Sequence, residues 1–374
     1  MAARRKKITP EGEAEAGLPG IAGTAKGSKP KPATGDSNKT RAMVEAMRAK
    51  LGKGPGAAVV EMAQGSVSEV KEYIPCGISV IDHHLLGNGG LPVGRLTELF
   101  GDYGTGKSSL CFAFMAGCQR AGGLVGLAET ENALQVERAV TFGVDPDGIV
   151  LTHPDNLEDV LSNAEAFMKS LPEGVGPNLW VLDSIAACAT KAELEAGAGG
   201  NLRVGEFARR MSHGIKQLCM LAARTRTALL LTNQTRQKIG VAFGNPTTTP
   251  GGESVKFYSS TRLQLMGGSA VKVDEVPVGK DITLMCVKNK LVAPMRKAKA
   301  RFLYESGWHE PWTTLTYAKG QGVIGPKAQG MKGYQEALAA LKWPQPAGVE
   351  EVAEDEVEAL SEDQAREALF DLGI

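Results

Sequence analysis

The stretch Gly101-Asp102-Tyr103-Gly104-Thr105-Gly106-Lys107-Ser108 has the spacing G-x-x-x-x-G-K-[ST]. Glycines at these intervals let backbone N–H groups curl around phosphate oxygens. A helix starting beside Ser108 and Ser109 adds its positive end. In that arrangement the Lys107 ammonium bridges the β and γ phosphates of a nucleoside triphosphate, and the Ser108 hydroxyl binds Mg²⁺. A second acid must complete the metal shell. Leu179-Trp180-Val181-Leu182-Asp183 is an apolar run ending in a carboxylate, as a buried parallel strand beside the phosphate loop requires. Hydrolysis further needs a group that orients or deprotonates water. Glu129 and Glu131 both follow the apolar run Leu124–Ala128. Glu131 is the first candidate and Glu129 the second, and either could instead serve as an acid at a helix N-terminus.

These groups need a scaffold. From about Tyr73 to Leu303, strand-like runs alternate with helical patterns. Strands are expected at Leu96–Phe100, Leu124–Ala128, Ile149–Thr152, Leu179–Leu182, Ala228–Thr232, Thr261–Met266, Ile282–Val287 and Ala300–Leu303. Helices are expected at 107–121, 132–142, 157–169, 205–224 and 253–259. Such alternation predicts an α/β fold with a mostly parallel central sheet. The last strands lack intervening helices, so that end of the sheet is expected to run antiparallel. Thr40–Leu51 carries Met43, Val44, Met47 and Leu51 at helical spacing, and Val59, Val60 and Met62 suggest a short strand. A helix of about three turns is marginal alone, so its stripe packs either on its own core or on a neighbouring subunit.

The chain divides on this reading into a disordered basic tail (1–37), an N-terminal helix and strand (38–70), a core (71–305), a small C-terminal region (306–348) and an acidic tail with a possible short helix (349–374). Beyond Gly307 the apolar pattern weakens, and Trp308, Trp312, Tyr317, Tyr334 and Trp343 support only a small subdomain. The 374 residues carry 42 Lys+Arg and 42 Asp+Glu. This neutrality hides opposite tails: residues 1–53 hold 12 basic and 5 acidic groups, residues 350–374 hold 1 basic and 10 acidic. It therefore does not argue against nucleic-acid binding. The six cysteines are dispersed with no C-x-x-C pair, which predicts neither a zinc site nor a redox motif and fits a reducing cytoplasm. No apolar run approaches the roughly 18 residues of a membrane span.

Beyond the phosphate loop, several strings resemble the RecA family of DNA strand-exchange recombinases. They are Gly89-Gly90-Leu91-Pro92-Val93-Gly94-Arg95, Thr130-Glu131-Asn132-Ala133-Leu134, Leu182-Asp183-Ser184-Ile185-Ala186-Ala187 and Lys191-Ala192-Glu193. Asn233-Gln234-Thr235-Arg236-Gln237-Lys238-Ile239-Gly240-Val241-Ala242-Phe243-Gly244-Asn245-Pro246 is the most specific. Gly251-Gly252, Lys256-Phe257-Tyr258 and Val287-Lys288-Asn289-Lys290 follow. The resemblance spans about Asn38 to Tyr304. It implies a RecA-type P-loop ATPase core with Glu131 as the catalytic glutamate, which decides between the two acids. It implies that Gln234 contacts the γ-phosphate and reports nucleotide state, and that Lys288 and Lys290 reach the ATP of the adjacent protomer. The alternative for this lysine pair is a solvated charged edge.

Two segments resemble the family's DNA loops. The first spans about Glu195 to Gly205 and includes Arg203. The second spans about Thr235 to Gly252 with Arg236, Lys238, Ile239, Phe243, Gly251 and Gly252. Glycines let backbone approach a phosphate chain, cations neutralise it, and an apolar side chain can wedge between bases. Arg209 and Lys216 would face the same channel. The implied protein is a DNA-dependent ATPase using ATP and Mg²⁺. It would form helical filaments on single-stranded DNA, with ATP at protomer interfaces, and exchange strands with homologous duplex DNA. A ring-forming helicase or a non-hydrolysing structural DNA-binding paralogue are the alternatives. The implied compartment is the cytoplasm, at the nucleoid or in a phage-infected bacterium, and the acidic tail is a candidate dock for accessory proteins. Gln135 and Arg138 depart from the family pattern near the adenine.

Overall fold

The structure, a computed structural model, describes residues 69–197, 205–237 and 247–347 together with scattered positions between 42 and 49. The chain divides into two compact units between Val67 and Ser68. In the first unit Ala42, Met43, Glu45, Ala46, Met47 and Ala49 are helical, within the helix expected over Thr40–Leu51, and Met43 and Met47 are exposed. The expected strand at Val59–Met62 and both charged tails lie outside the described residues.

The second unit is organised by ten strands in one sheet. In chain order they are β1 (Leu96–Gly101), β2 (Val125–Glu129), β3 (Ile149–Thr152), β4 (Asn178–Asp183), β5 (Thr227–Gln234), β6 (Thr261–Met266), β7 (Ala270–Val273), β8 (Val276–Asn289), β9 (Arg296–Leu303) and β10 (Gly307–Trp308). Across the sheet the order is β10-β9-β8-β6-β1-β5-β4-β2-β3, with β7 on β8. Pairs from β6 to β3 are parallel. Pairs from β6 to β10, and β7 with β8, are antiparallel. Connection length explains the change of direction, because a two-residue turn can only reverse a strand. Asp274 and Glu275 make that turn between β7 and β8, both with positive φ (49° and 63°).

Helices cover the parallel part: α1 (Lys107–Arg120), α2 (Val136–Thr141), α3 (Leu157–Ser170), α4 (Lys191–Ala196), α5 (Glu206–Arg224) and α6 (Gly252–Tyr258). Alternate strand residues face opposite layers. Leu179, Val181, Ala228 and Leu230 join one core with α1, whereas Trp180, Leu182, Leu229 and Leu231 join the other with α3 and α5. Helix α1 is buried continuously from Leu110 to Cys118. Its Gly117 lies against the Pro75 backbone, where a Cβ would come within 1.8 Å of the carbonyl oxygen. The helix expected over 132–142 starts only at Val136, because the N–H groups of Glu131, Asn132 and Ala133 bond to the Glu129 side chain instead.

The C-terminal region is more ordered than its apolar pattern suggests. Strand β10 extends the main sheet, followed by α7 (Glu310–Gly320) and α8 (Gly330–Leu341). The buried positions of α7 are Glu310, Thr313, Thr314 and Ala318, so this helix presents no apolar stripe to the reader of the sequence. Tyr317 and Trp343 pack against the main core, and the Tyr317 hydroxyl lies 2.8 Å from His84 Nδ1. No helix among the described residues is long and apolar enough to cross a membrane.

Two buried carboxylates fasten the segment preceding the sheet. Asp82 accepts N–H bonds from Cys76 and Gly77. Glu310 accepts from Ser79 N–H at 3.0 Å, the Thr314 hydroxyl at 2.8 Å and the Tyr334 hydroxyl at 3.2 Å. Burial pushes both carboxyls up to about 7, against the pull of these hydrogen bonds, and the Asp82 charge raises Glu310 further. A carboxyl raised on folding binds more protons in the native than in the unfolded state. Its stabilisation is therefore full at low pH and is lost as pH rises from about 4 to about 7. At about 1.4 kcal/mol per pH unit, Glu310 contributes a decline of about 3 kcal/mol. Glu310→Gln is expected to flatten the fall of thermal stability between about pH 4 and 7, as followed by melting curves. An unchanged slope would remove Glu310 from this role.

Candidate functional site

The parallel strands β1, β2, β4 and β5 all end at one edge, and the candidate groups gather there. The phosphate loop leaves β1 and enters α1, with Gly104 and Gly106 at φ 62° and 82°. A Cβ on Gly106 would meet the Trp308 ring at 3.1 Å, so this turn is closed from behind. Lys107 Nζ bonds back to the carbonyls of Gly101 (3.1 Å) and Asp102 (2.7 Å). Thr105 Oγ1 also bonds to Asp102, at 2.8 Å, and the Lys280 ammonium holds the Gly104 carbonyl. Tyr103 stands at the exposed tip, 90% accessible.

A cavity of about 230 Å³ follows the loop from Tyr103 to Ser109 and is closed by Glu131, Asp183 and Gln234. The sequence-selected groups thus meet in one place. Asp183 ends β4 and bonds to the hydroxyls of Ser108 and Thr232. Burial raises the Asp183 carboxyl above its ordinary value, opposed by those two hydrogen bonds. Burial likewise lowers the Lys107 ammonium, opposed by the charges of Asp183 and Glu131. An ammonium, a hydroxyl and a carboxylate converging at a helix N-terminus form a donor set that fits a polyphosphate with a divalent cation.

The two candidate acids separate clearly. Glu129 is buried (5% exposed) and its oxygens accept the N–H groups of Glu131, Asn132 and Ala133. Glu131 projects into the cavity. Its Oε1 accepts from Ser184 Oγ at 2.5 Å and from Gln234 Nε2 at 3.3 Å. Sequence reasoning missed Ser184, which adjoins Asp183, and Thr232. Glu98 carried a usable signal, since it is a charged residue inside a buried strand.

Glu98 is fully buried on β1. It accepts from Arg262 Nε at 2.5 Å and from Asn233 Nδ2 at 2.9 Å, and Arg262 lies over the Phe100 ring. Asn233 Nδ2 also bonds to the Pro250 carbonyl at 2.9 Å. Pro250 stands at the root of the second candidate DNA loop. Arg236–Gln237 pairs with Thr247–Thr248 at that root, and Arg236 is exposed. Gly251 and Gly252 have φ 93° and 74°, and a Cβ on Gly252 would touch Ala208 of α5 at 3.0 Å. The second loop therefore re-enters the fold against the helix that follows the first. Arg209 and Lys216 are exposed on that helix. Arg203, Lys238, Ile239 and Phe243 lie outside the described residues.

Lys288 lies next to the last residue of β8 and Lys290 directly follows the strand. Both converge, donating to the Phe257 carbonyl at 3.0 and 3.2 Å at the end of α6. A second cavity, about 150 Å³, adjoins Ser108 and Glu131 and is lined by Leu134, Gln135 and Arg138. Arg138 lies over the rings of Phe142 and Phe302 and bonds to the Tyr304 carbonyl.

A mostly parallel sheet with a glycine-rich loop and lysine at one strand end, and a carboxylate at another, defines a P-loop nucleotide-binding ATPase. The RecA N-terminal domain family model matches residues 39–309. The chain is similar to Protein RecA of Bacteroides thetaiotaomicron, with 38% identity covering 76% of this chain and 83% of that protein. It is 36% identical to Protein RecA of Tropheryma whipplei, covering 77% of this chain and 64% of the relative. For the protein of the same name from Francisella tularensis subsp. novicida the identity is 37%, over 69% of each chain. The solved RadB recombinase aligns at a TM-score of 0.47 and 20% identity, over 63% of this chain and 98% of its own. The chain belongs to the RecA family; it is a recombinase and a DNA-dependent ATPase. The matched segment stops at residue 309, so α7 and α8 lie beyond it.

Removing Arg262 would leave the Glu98 charge buried beside an amide alone. Breaking such a pair costs about 3–5 kcal/mol. Arg262→Met is expected to lose stability of that order in urea unfolding. Pairing it with Glu98→Gln should recover most of the loss, and a double variant no better than the single would contradict the assignment.

Proposed function

We propose that this recombinase polymerises on single-stranded DNA as a helical filament with ATP between protomers, and pairs the bound strand with homologous duplex DNA. Lys107 and the loop N–H groups hold the phosphates, and Glu131 orients the attacking water and takes its proton. Ser108 and Asp183 would hold a divalent cation, which would supply charge neutralisation to the polyphosphate. Lys288 and Lys290 extend from one protomer to the nucleotide of the next. The exposed Met43 and Met47 support docking of the N-terminal helix on a neighbouring subunit. Backbone and stacking contacts carry little base information, so sequence is read by base pairing and not by side chains.

One observation carries the coupling of nucleotide to DNA. Two consecutive residues at the end of β5 face different partners: Gln234 reaches Glu131 in the phosphate cavity, while Asn233 holds Pro250 at the loop root. A phosphate contact that moves Gln234 therefore acts on the segment leading to the second DNA loop. The same observation disfavours a structural paralogue without turnover, because the hydrolytic carboxylate and the loop are joined through adjacent residues.

ATP turnover should rise with single-stranded DNA, and electron microscopy should find filaments under ATP. An ATPase indifferent to DNA would sink the reading, and closed hexamers with processive unwinding would favour a ring helicase. Lys107→Ala is expected to abolish turnover, by at least about 100-fold in phosphate release. Gln234→Ala should still bind a fluorescent ATP analogue but lose the dependence of DNA affinity on nucleotide. If that dependence survives, Gln234 is not the reporter.

A further inference from the structure

We propose that Glu129 is a positioning residue for hydrolysis, fixing Glu131 through the backbone and not through the substrate. This inference rests on the reading that Glu131 activates the attacking water. The Glu129 carboxylate is withdrawn from solvent at the end of β2, and its two oxygens are spent on the segment that follows. Oε1 accepts from Glu131 N–H at 2.9 Å and Ala133 N–H at 3.2 Å, and Oε2 accepts from Asn132 N–H at 3.0 Å. Three successive amides can converge on one carboxylate only if the chain turns sharply, and Asn132 does so with φ 53°. The turn stops α2 from starting early and leaves Glu131 facing the phosphate cavity.

The side-chain end of Glu131 is fixed separately, by Ser184 Oγ at 2.5 Å and Gln234 Nε2 at 3.3 Å. Its backbone end depends on Glu129. Thr130 contributes from the other side, its N–H bonding to the Asp183 carbonyl and its hydroxyl to the Ser184 carbonyl. Glu129 Oε2 also lies 3.3 Å from the half-exposed ring of His153, and the residue borders the smaller cavity beside Ser108 and Glu131 with both oxygens already held by the turn. Its carboxylate therefore serves the turn, and the substrate-facing role falls to Glu131. Holding a reacting group in place is worth a large factor, since a displacement of about 1 Å can cost about 100-fold in rate.

The chemistry of the turn sets the test. It needs two acceptor oxygens. Glu129→Gln keeps the shape but turns one acceptor into a donor facing an N–H group. Glu129→Asp shortens the side chain yet keeps both acceptors. Single-turnover hydrolysis of radiolabelled ATP by the full-length protein on single-stranded DNA is expected to slow about 30-fold in Glu129→Gln and less in Glu129→Asp. Affinity for a fluorescent ATP analogue should stay within about twofold of wild type in both. In a Glu131→Gln background, itself slowed by about 100-fold or more, neither Glu129 substitution should slow hydrolysis further. Losses that multiply would overturn the proposal, as would a Gln variant faster than the Asp variant, which would mark Glu129 as a packing residue. Should the Gln variant fail to fold, as judged by circular dichroism, the cycle with Glu129→Asp decides by the same criterion. A Glu131→Gln protein with undiminished turnover would instead overturn the role given to Glu131, and this proposal with it.

Discussion

A carboxylate taken out of water costs several kcal/mol unless donors surround it, and this fold places Glu98 and Glu129 where the sheet denies them solvent and Asp183 half-buried in a cavity wall. Each must recruit donors, and each recruits them from a segment that matters for function. Glu129 gathers the amides of the turn carrying Glu131. Asp183 draws in Ser108 of the phosphate loop and Thr232 of β5. Glu98 binds Asn233 and Arg262. Asp82 applies the same device within the segment before the sheet, and Glu310 ties that segment to the helices after the sheet. The cost of desolvation thus becomes a set of fixed anchor points, and the loops inherit their geometry from the strands.

Strand β5 sits between β1 and β4 and so touches all three parts of the site. Thr232 meets the acid of β4, Asn233 meets the acid of β1, and Gln234 meets the acid after β2. Alternation along a strand sends neighbouring side chains to opposite faces, which explains how Asn233 and Gln234 serve the loop root and the phosphate cavity at once. A single rigid element therefore connects nucleotide chemistry to the candidate DNA surface without a flexible intermediary.

Much of this was legible in the sequence because parallel strands declare themselves as apolar runs. The apolar run at Ile149–Thr152 coincides with β3, the alternating Thr261–Met266 coincides with β6, and the phosphate loop lies at the expected strand-to-helix junction. What stayed hidden depended on groups distant in sequence. The late start of α2 is set by a side chain from the preceding strand, against a helical pattern in residues 132–135. Helix α7 escaped notice because it buries threonines and a glutamate, whose partners Ser79 and Tyr334 lie on either side of it in the chain. The choice between Glu129 and Glu131 was equally inaccessible to spacing, since both are acids after one strand and only burial distinguishes them.

The lysine pair at the end of β8 has only neutral hydrogen-bond partners among the described residues of its own chain. Lys288 and Lys290 rest on carbonyls at the C-terminus of α6, the negative end of that helix. Lys290 also lies 5.6 Å from the Phe257 ring, itself largely exposed. Burial lowers the Lys288 ammonium from its ordinary value and the neighbouring Lys290 charge lowers it further. A phosphate from an adjacent protomer offers a stronger, charge-assisted partner than a neutral carbonyl. In the proposed filament the lysines would exchange the carbonyls for that phosphate, which would favour assembly when nucleotide is present.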